Sequence, residues 1–354
     1  MNAGGSITTG NGENVCVGNN AAGAMTTGQQ NIFIGDNCAA AAAVTGNVNT
    51  IIGDNAGYDL TTGAANTGLG AGSLANITTG GYNTALGYEA LMTQTTASNN
   101  TAVGHDALTA NTTGTQNTAF GNNALDANTT GQQNNAFGDN ALGGNTTGSY
   151  NVAVGEQSLY VSNADNNTGC GHRTLQANTT GSANVAVGAN ALDAITTASS
   201  NTAVGQNCLT ENTTGDSNTA IGGNALDANT TADNNTAVGR HALGANTTGT
   251  NNVAMGANAL EANTTANNNT AVGRSSLGSN TTGTKNTAVG QGSLASNTTA
   301  DENTALGVDA LNANTTGTGN DSFGSTALTS NTTGSYNVCL LYTSDAADEG
   351  LGVD

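Results

Sequence analysis

Three histidines are the first residues to consider as catalytic groups, because imidazole titrates near neutral pH and can act as a general acid or base. His105 and His172 directly follow a glycine that closes one short motif, and His241 lies one residue further along the same motif. Other copies of the motif carry Asp, Asn, Arg or Gln at these sites. Such variation is typical of solvent-exposed turns, so the sequence predicts no catalytic residue and no enzyme activity.

Four carboxylates share one site of the motif and could form a sparse acidic stripe. They are Asp126, Asp193, Asp227 and Glu261. Carbohydrate cleavage needs paired carboxylates beside aromatic platforms, whereas aromatic residues make up 3% of this chain. The Gly-Gly-x-Gly-x-Asp calcium repeat and the Cys-x-x-Cys zinc spacing are absent from the sequence. We therefore expect neither a metal nor a cofactor.

Asn-Thr-Thr triplets are sequons for N-linked glycosylation. Tight-turn chemistry alone also explains them, because Asn and Thr are common turn and strand-flank residues. The candidate glycosylation sites are Asn111, Asn128, Asn145, Asn178, Asn212, Asn229, Asn246, Asn263, Asn280, Asn297, Asn314 and Asn331, with Asn76 in an Asn-Ile-Thr variant.

These residues belong to a tandem repeat that begins with Asn-Thr-Ala-Val-Gly. The repeats start at Asn14, Asn31, Asn49, Asn66, Asn83, Asn100, Asn117, Asn134, Asn151, Asn167, Asn184, Asn201, Asn218, Asn235, Asn252, Asn269, Asn286, Asn303, Asn320 and Asn337. The spacing is 17 residues except for one of 18 after Asn31 and one of 16 after Asn151. A fixed period of this kind indicates a repeat architecture rather than disorder.

The full unit reads Asn-Thr-Ala-Val-Gly-x-x-Ala-Leu-x-x-Asn-Thr-Thr-Gly-x-x, and we number its positions 1 to 17. It is too short for a strand plus a helix. Positions 1 to 5 and 8 to 11 are predicted to form two short strands, with Asn-Thr-Thr-Gly as a tight turn. The sequence therefore predicts an all-β fold, a parallel β-solenoid or β-roll of about 19 coils.

Position 4 is apolar from Val17 to Phe323, and position 9 is Leu in every repeat from Leu74 to Leu328. We expect these two positions to meet inside the coil as its core. Four cysteines replace small apolar residues and are expected to be buried thiols. They are Cys16, Cys38, Cys170 and Cys208.

Position 3 is also small or apolar, although strand alternation points it away from position 4. A strand that is apolar on both faces is normally covered on both. One thin coil also buries too little apolar surface to offset the entropy of ordering 17 residues. We therefore expect ladders of stacked Asn and Thr along the axis, and self-association into a homotrimer or a helical filament.

The net charge of −20 argues against several partners. With 4 basic and 24 acidic residues, the chain has no basic surface for phosphates, so nucleic acid is excluded. No apolar run is long enough to span a bilayer, so membrane insertion is not expected. Surface glycans remain a candidate partner.

The motifs Asn-Thr-Ala-Val-Gly, Ala-Leu and Asn-Thr-Thr-Gly resemble the tandem repeats of phage tail-fibre and bacterial surface-fibre proteins. They are similar, more distantly, to the repeats of trimeric autotransporter adhesin heads, which form β-rolls in trimers. The resemblance implies a structural, extracellular protein of a cell surface or virion. The unit differs from the adhesin repeat of about 14 residues in length, so trimeric roll geometry is implied only weakly.

The repeats predict one solenoid domain over residues 1–338. Residues 339–349 resemble a translated sequencing adapter, so 339–354 are expected to be a non-native tail. Because the chain starts and stops within a repeat, we expect the natural gene to continue at both ends.

The function predicted is that of a structural fibre or adhesin stalk segment. The alternative is an ice-binding or carbohydrate-binding β-solenoid, since position 2 is usually Thr and a row of outward Thr suits ice. That row is interrupted at Val15, Ile32, Val152, Val185, Val253 and Asp321.

Overall fold

The computed structural model describes residues 12–341. The chain divides into two compact units between Thr197 and Ala198. Within the described residues, all regular elements are short strands. This part of the chain contains no helix that is long and apolar enough to cross a membrane. Predictions for residues 1–11 and 342–354, which include most of the expected tail, lie outside this range.

The described part of the first unit contains eleven strands of three residues, one in each coil. They are β1 (Val15–Val17), β2 (Ile32–Ile34), β3 (Thr50–Ile52), β4 (Thr67–Leu69), β5 (Thr84–Leu86), β6 (Thr101–Val103), β7 (Thr118–Phe120), β8 (Asn135–Phe137), β9 (Val152–Val154), β10 (Thr168–Cys170) and β11 (Val185–Val187). Each strand pairs in parallel with the next, position on position, as Val15 does with Ile32.

The described part of the second unit contains nine strands built in the same way. They are β12 (Thr202–Val204), β13 (Thr219–Ile221), β14 (Thr236–Val238), β15 (Val253–Met255), β16 (Thr270–Val272), β17 (Thr287–Val289), β18 (Thr304–Leu306), β19 (Asp321–Phe323) and β20 (Val338–Leu340). Their parallel pairing is again position on position. The prediction of a parallel β-solenoid with a 17-residue repeat is therefore confirmed within each unit.

The second strand predicted over positions 8 to 11 is wrong, because these residues form turns. Asp106 and Leu108, at positions 7 and 9, have φ angles of 55° and 54°. Left-handed residues curl the backbone, so the segment cannot extend as a strand. It still bonds from coil to coil, since Leu108 N donates to Ala124 O at 3.0 Å.

The assignment of position 4 to the core is also wrong. Ala102, at position 3, is completely buried together with Leu108, whereas Val103, at position 4, points outward and is half-buried. Space inside the coil explains the inversion. A β-carbon on Gly68 would lie 3.3 Å from Leu74 Cδ1, so a methyl group fills the room that Leu leaves at position 3. The larger side chain of each strand therefore lies outside.

Three coils near the start of the first unit lack Leu at position 9, and two of them reverse this arrangement. Position 3 is occupied there by Cys16, Phe33 and Ile51, and position 9 by Ala22, Ala39 and Gly57. Phe33 and Ile51 are completely buried. In the coils of Phe33 and Ile51, a large side chain from the strand thus takes the place of the Leu that the turn supplies elsewhere, and position 9 is small.

The Asn at position 1 forms a ladder through the interior of each unit. Asn117 N donates to Asn100 Oδ1 at 2.9 Å, and Asn117 Nδ2 donates to Gly131 O at 2.8 Å. The same bonds recur in neighbouring coils, for example from Asn252 to Asn235 and to Ala266. Buried amides that are bonded in this way hold successive coils in register. They confirm the expected Asn ladders.

Glycine at position 5 is required by the close approach of successive coils. Gly104 has a φ of 141°, and a β-carbon on it would collide with the carbonyl group of Gly121 in the next coil. Any other residue would therefore force two coils apart.

The predicted boundary after Val338 falls within β20. Cys339 and Leu340 pair with Ser322 and Phe323 of β19 in the same register as the preceding strands.

Candidate functional site

The histidines lie at the surface, as the sequence predicts for turn residues. The side chains of His105 and His172 are 56% and 51% exposed. His105 stacks on Tyr88 with ring centroids 5.2 Å apart, and its Nδ1 atom lies 3.0 Å from Asp106 Oδ2. An exposed pair of this kind contributes little stability, because water screens its charges. His241 is half-buried at position 7.

The four acidic residues at position 10 are half-buried rather than fully solvated. Burial raises the pKa of Asp126 above its ordinary value. Burial is also the main cause of the raised pKa of Asp227. The nearby His241 acts in the opposite direction and lowers this pKa.

Asp227 lines a cavity of about 340 Å³ in the second unit. The other lining residues are Asn207, Thr210, Glu211 and Ala228. Among residues 12–341, no group of three or more His, Cys, Asp or Glu is placed to hold a metal ion. The cavity is open to solvent and lies between turns of successive coils.

The sequon asparagines at position 12 point into the coil. Asn128 Nδ2 donates to Asn111 Oδ1 at 2.9 Å and to Gly131 O at 3.1 Å. A second interior ladder results, and the amide nitrogen that would carry a glycan is occupied by two bonds. The completely buried sequon residues are Asn111, Asn128, Asn145, Asn178, Asn212, Asn229, Asn246, Asn263, Asn280, Asn297 and Asn314.

Asn76 and Asn331 differ from the other predicted glycosylation sites. Asn76 is exposed because it lies at position 11, and Ile77 fills position 12 inside the coil. Asn331 is half-buried and bonds to Asn314 Oδ1 at 3.2 Å. Of the predicted glycosylation sites, Asn76 is therefore the asparagine that is most accessible to a glycosylating enzyme.

The two Thr residues that follow each sequon asparagine have different roles. Thr129 Oγ1, at position 13, donates to Thr146 O in the next coil at 2.9 Å, which confirms the expected Thr ladder. Thr130, at position 14, is exposed. Position 16 supplies a further acceptor, since Thr284 N donates to Asp301 Oδ1 at 2.6 Å.

The side chains at positions 2 and 4 of every strand form a continuous surface in each unit, which we call the outward face. Its position-4 residues are large and apolar. Those more than a third exposed include Val17, Leu69, Phe120, Phe137, Val154, Val187, Val204, Ile221, Met255, Val289 and Leu306. Cys170 is exposed on this face too, so its predicted burial is wrong, whereas Cys38 and Cys208 are buried. Cys16 is partly buried.

Charge is nearly absent from the outward face. Among the strands within residues 12–341, Asp321 is the one charged residue at position 2 or 4. Phe120 and Phe137 stack on this surface with ring centroids 6.4 Å apart. Position 4 of this face is therefore an apolar, uncharged row beside position 2, which is Thr in most strands, in a chain with a net charge of −20.

Analysis of the sequence missed this surface because it placed position 4 inside. One signal could have found it. Position 3 is small wherever position 9 is Leu, as in Ala102 and Leu108, and large where position 9 is small, as in Ile51 and Gly57. Such compensation of volume is typical of two residues that pack against each other.

Comparison with known proteins adds no functional assignment, since the chain matches no family model and no curated protein sequence.

Proposed function

We propose that this chain is a structural segment of an extracellular fibre or adhesin stalk, with no catalytic role. One observation carries the proposal: the recurrent polar side chains bond to the next coil instead of converging on a site. Asn at positions 1 and 12, Thr at position 13 and the acceptor at position 16 all do so. Ladders of this kind resist separation of the coils, which is the property that a spacer needs.

The resemblance of the repeat to tail-fibre and surface-fibre proteins supports the same function and an extracellular, cell-surface or virion location. The weak electrostatic pairing of the exposed histidines is also consistent with a protein that has no catalytic role.

Single-molecule stretching tests the mechanical role. Each coil that detaches should lengthen the chain by about 55 Å, since 17 extended residues span roughly 60 Å and one coil occupies about 4.8 Å. We expect a series of force steps with this increment. Replacing Asn252 by Ala in the interior ladder should lower the force of the steps that involve its coil. A chain that extends without resisting force would contradict the proposal.

Ice binding is a second candidate, favoured by the outward threonines of the second unit. They are Thr202, Thr219, Thr236, Thr270, Thr287 and Thr304. Val253 interrupts the row, and position 4 beside it varies in size from Val238 to Met255. An assay of ice recrystallisation decides the matter: inhibition by the wild-type chain, abolished by Thr236→Lys, would favour this candidate over a spacer.

A further inference from the structure

The apolar side chains at position 4 of the outward face are not needed to fill the interior of the coil. The coil is already filled by positions 3, 8 and 9, as Ala237, Ala242 and Leu243 show by being completely buried. Phe120 and Met255 nevertheless remain 53% and 44% exposed at position 4. Contiguous apolar surface of this kind marks an interaction site.

Charge restricts what can cover this surface. The chain is strongly acidic, and its few cations at positions 6, 7 and 17 (Arg173, Arg240, Arg274 and Lys285) lie off the outward face. An anionic lipid surface would therefore be repelled by the chain and would find no basic anchor on this face. A second copy of the same face is neutral, so two copies can approach there without bringing carboxylates together.

Geometry favours the same occupant. The apolar side chains recur once per coil, at the spacing of paired strands, about 4.8 Å. A second copy has the same period, so the two rows of side chains can interdigitate along their whole length, as the facing sheets of a sandwich do. A partner without this period would meet the rows in register at only a few points.

The number of outward side chains in each unit is close to that of a stable interface. Two outward residues per strand give 22 side chains in the described part of the first unit and 18 in that of the second. A stable protein interface uses roughly 20–30 residues on each side.

We infer that the outward face binds a second copy of this chain, sheet against sheet, through the side chains at position 4. This inference names the partner of the proposed fibre and rests on that proposed function. It replaces position 3 by position 4 as the contact surface of the self-association expected from the sequence.

The test compares two triple variants of the full chain that carry equal added charge in the same three coils. The face variant combines Val204→Asp, Val238→Asp and Val272→Asp, and the control combines Thr214→Asp, Thr248→Asp and Thr282→Asp at exposed position 14. We expect light scattering at micromolar concentration to show assembly of the wild type and of the control. The face variant should need at least a ten-fold higher concentration to assemble.

Cys170 provides a second measurement, which uses the wild-type chain and therefore does not depend on whether a variant folds. Its thiol is exposed on the outward face, so maleimide should label it rapidly in the dilute chain and at least ten-fold more slowly in the assembled one. Equal labelling rates would overturn the inference, and so would a monomeric wild type or a face variant that assembles like the control. A monomer that still resists stretching would remove the inference and leave the proposed function intact.

Discussion

Ile51 occupies the space that a side chain at Gly57 would need. A β-carbon on Gly57 would lie 2.7 Å from Ile51 Cδ1, although Gly57 has the same left-handed backbone, with a φ of 56°, as the leucines at position 9 elsewhere. In the next coil, Gly68 and Leu74 hold the opposite arrangement. The large side chain has therefore moved from the turn to the strand without changing the coil.

Exchanging these two side chains should be better tolerated than either change alone. Ile51→Ala should lower the free energy of unfolding by about 2–5 kcal/mol because it leaves a cavity. Gly57→Leu should cost about 1–3 kcal/mol through overpacking against Ile51. The double variant recreates the usual Ala and Leu pair, so we expect it to be more stable than Ile51→Ala. Chemical denaturation of all four proteins measures the coupling, and additive effects would contradict the packing.

The inverted strand predicts opposite effects for two neighbouring residues. Ala237→Asp places a carboxylate in the completely buried interior and should destabilise the fold by several kcal/mol. Val238→Asp places it on the outward face, where Val238 is half-buried, and should cost the unassembled chain about 1 kcal/mol, the span of strand propensities. Thermal melts of the dilute variants check this, and equal losses would show that position 4 is buried.

The interior ladder at position 12 predicts a large effect for a single amide. Asn246 Nδ2 donates to Asn229 Oδ1 at 3.1 Å and to Gly249 O at 2.9 Å, and Asn246 Oδ1 accepts a bond from Asn263 Nδ2 at 2.9 Å. Asn246→Ala leaves these buried partners unpaired, which should cost about 1–3 kcal/mol or more. Thr248→Ala, at the exposed end of the same turn, is the control. If both variants melt at the same temperature, the ladder contributes nothing.

Two glycines at position 3 should respond differently to Ala. A β-carbon on Gly169 would collide with Ser158 Oγ and lie 2.7 Å from Thr174 Oγ1, and these two buried hydroxyls bond to each other. Gly169→Ala should therefore cost about 1–3 kcal/mol. Gly68→Ala meets Ser73 Oγ at 3.1 Å and two methyl carbons at 3.3 Å, so it should cost less than Gly169→Ala. Urea denaturation tests the pair, and stability restored by adding Ser158→Ala to Gly169→Ala would identify the crowding hydroxyl.

Burial of Cys38 predicts a loss of stability at alkaline pH. Burial raises the pKa of this thiol from 9.0 to about 12, so the folded chain holds the proton more tightly than the unfolded chain. The resulting stabilisation is present below pH 9 and is lost as the pH rises from 9 towards 12, by at most about 1.4 kcal/mol per pH unit. Cys38→Ala, which restores the usual residue of position 8, should lose less stability over this range. Parallel slopes for the two proteins in denaturation series from pH 8 to 11 would contradict the assignment.

The sequence by itself determined the period, the parallel stacking of the coils and the Asn and Thr ladders. These features follow from residues that repeat every 17 positions, because equal residues in successive coils must lie next to each other once the chain winds. It also placed His105 and His172 at the surface, since variable polar residues after a glycine form turns.

Only the tertiary structure decided which side of each strand faces the interior. Alternation states that Ala102 and Val103 point in opposite directions, but both are apolar, so the pattern does not say which one is buried. The volume of Leu108, which reaches across the coil from the opposite turn, leaves room for Ala alone and sends Val outward. The same closed interior turned the amide of Asn111 inward and made a ladder of residues that, in sequence, read as glycosylation sites.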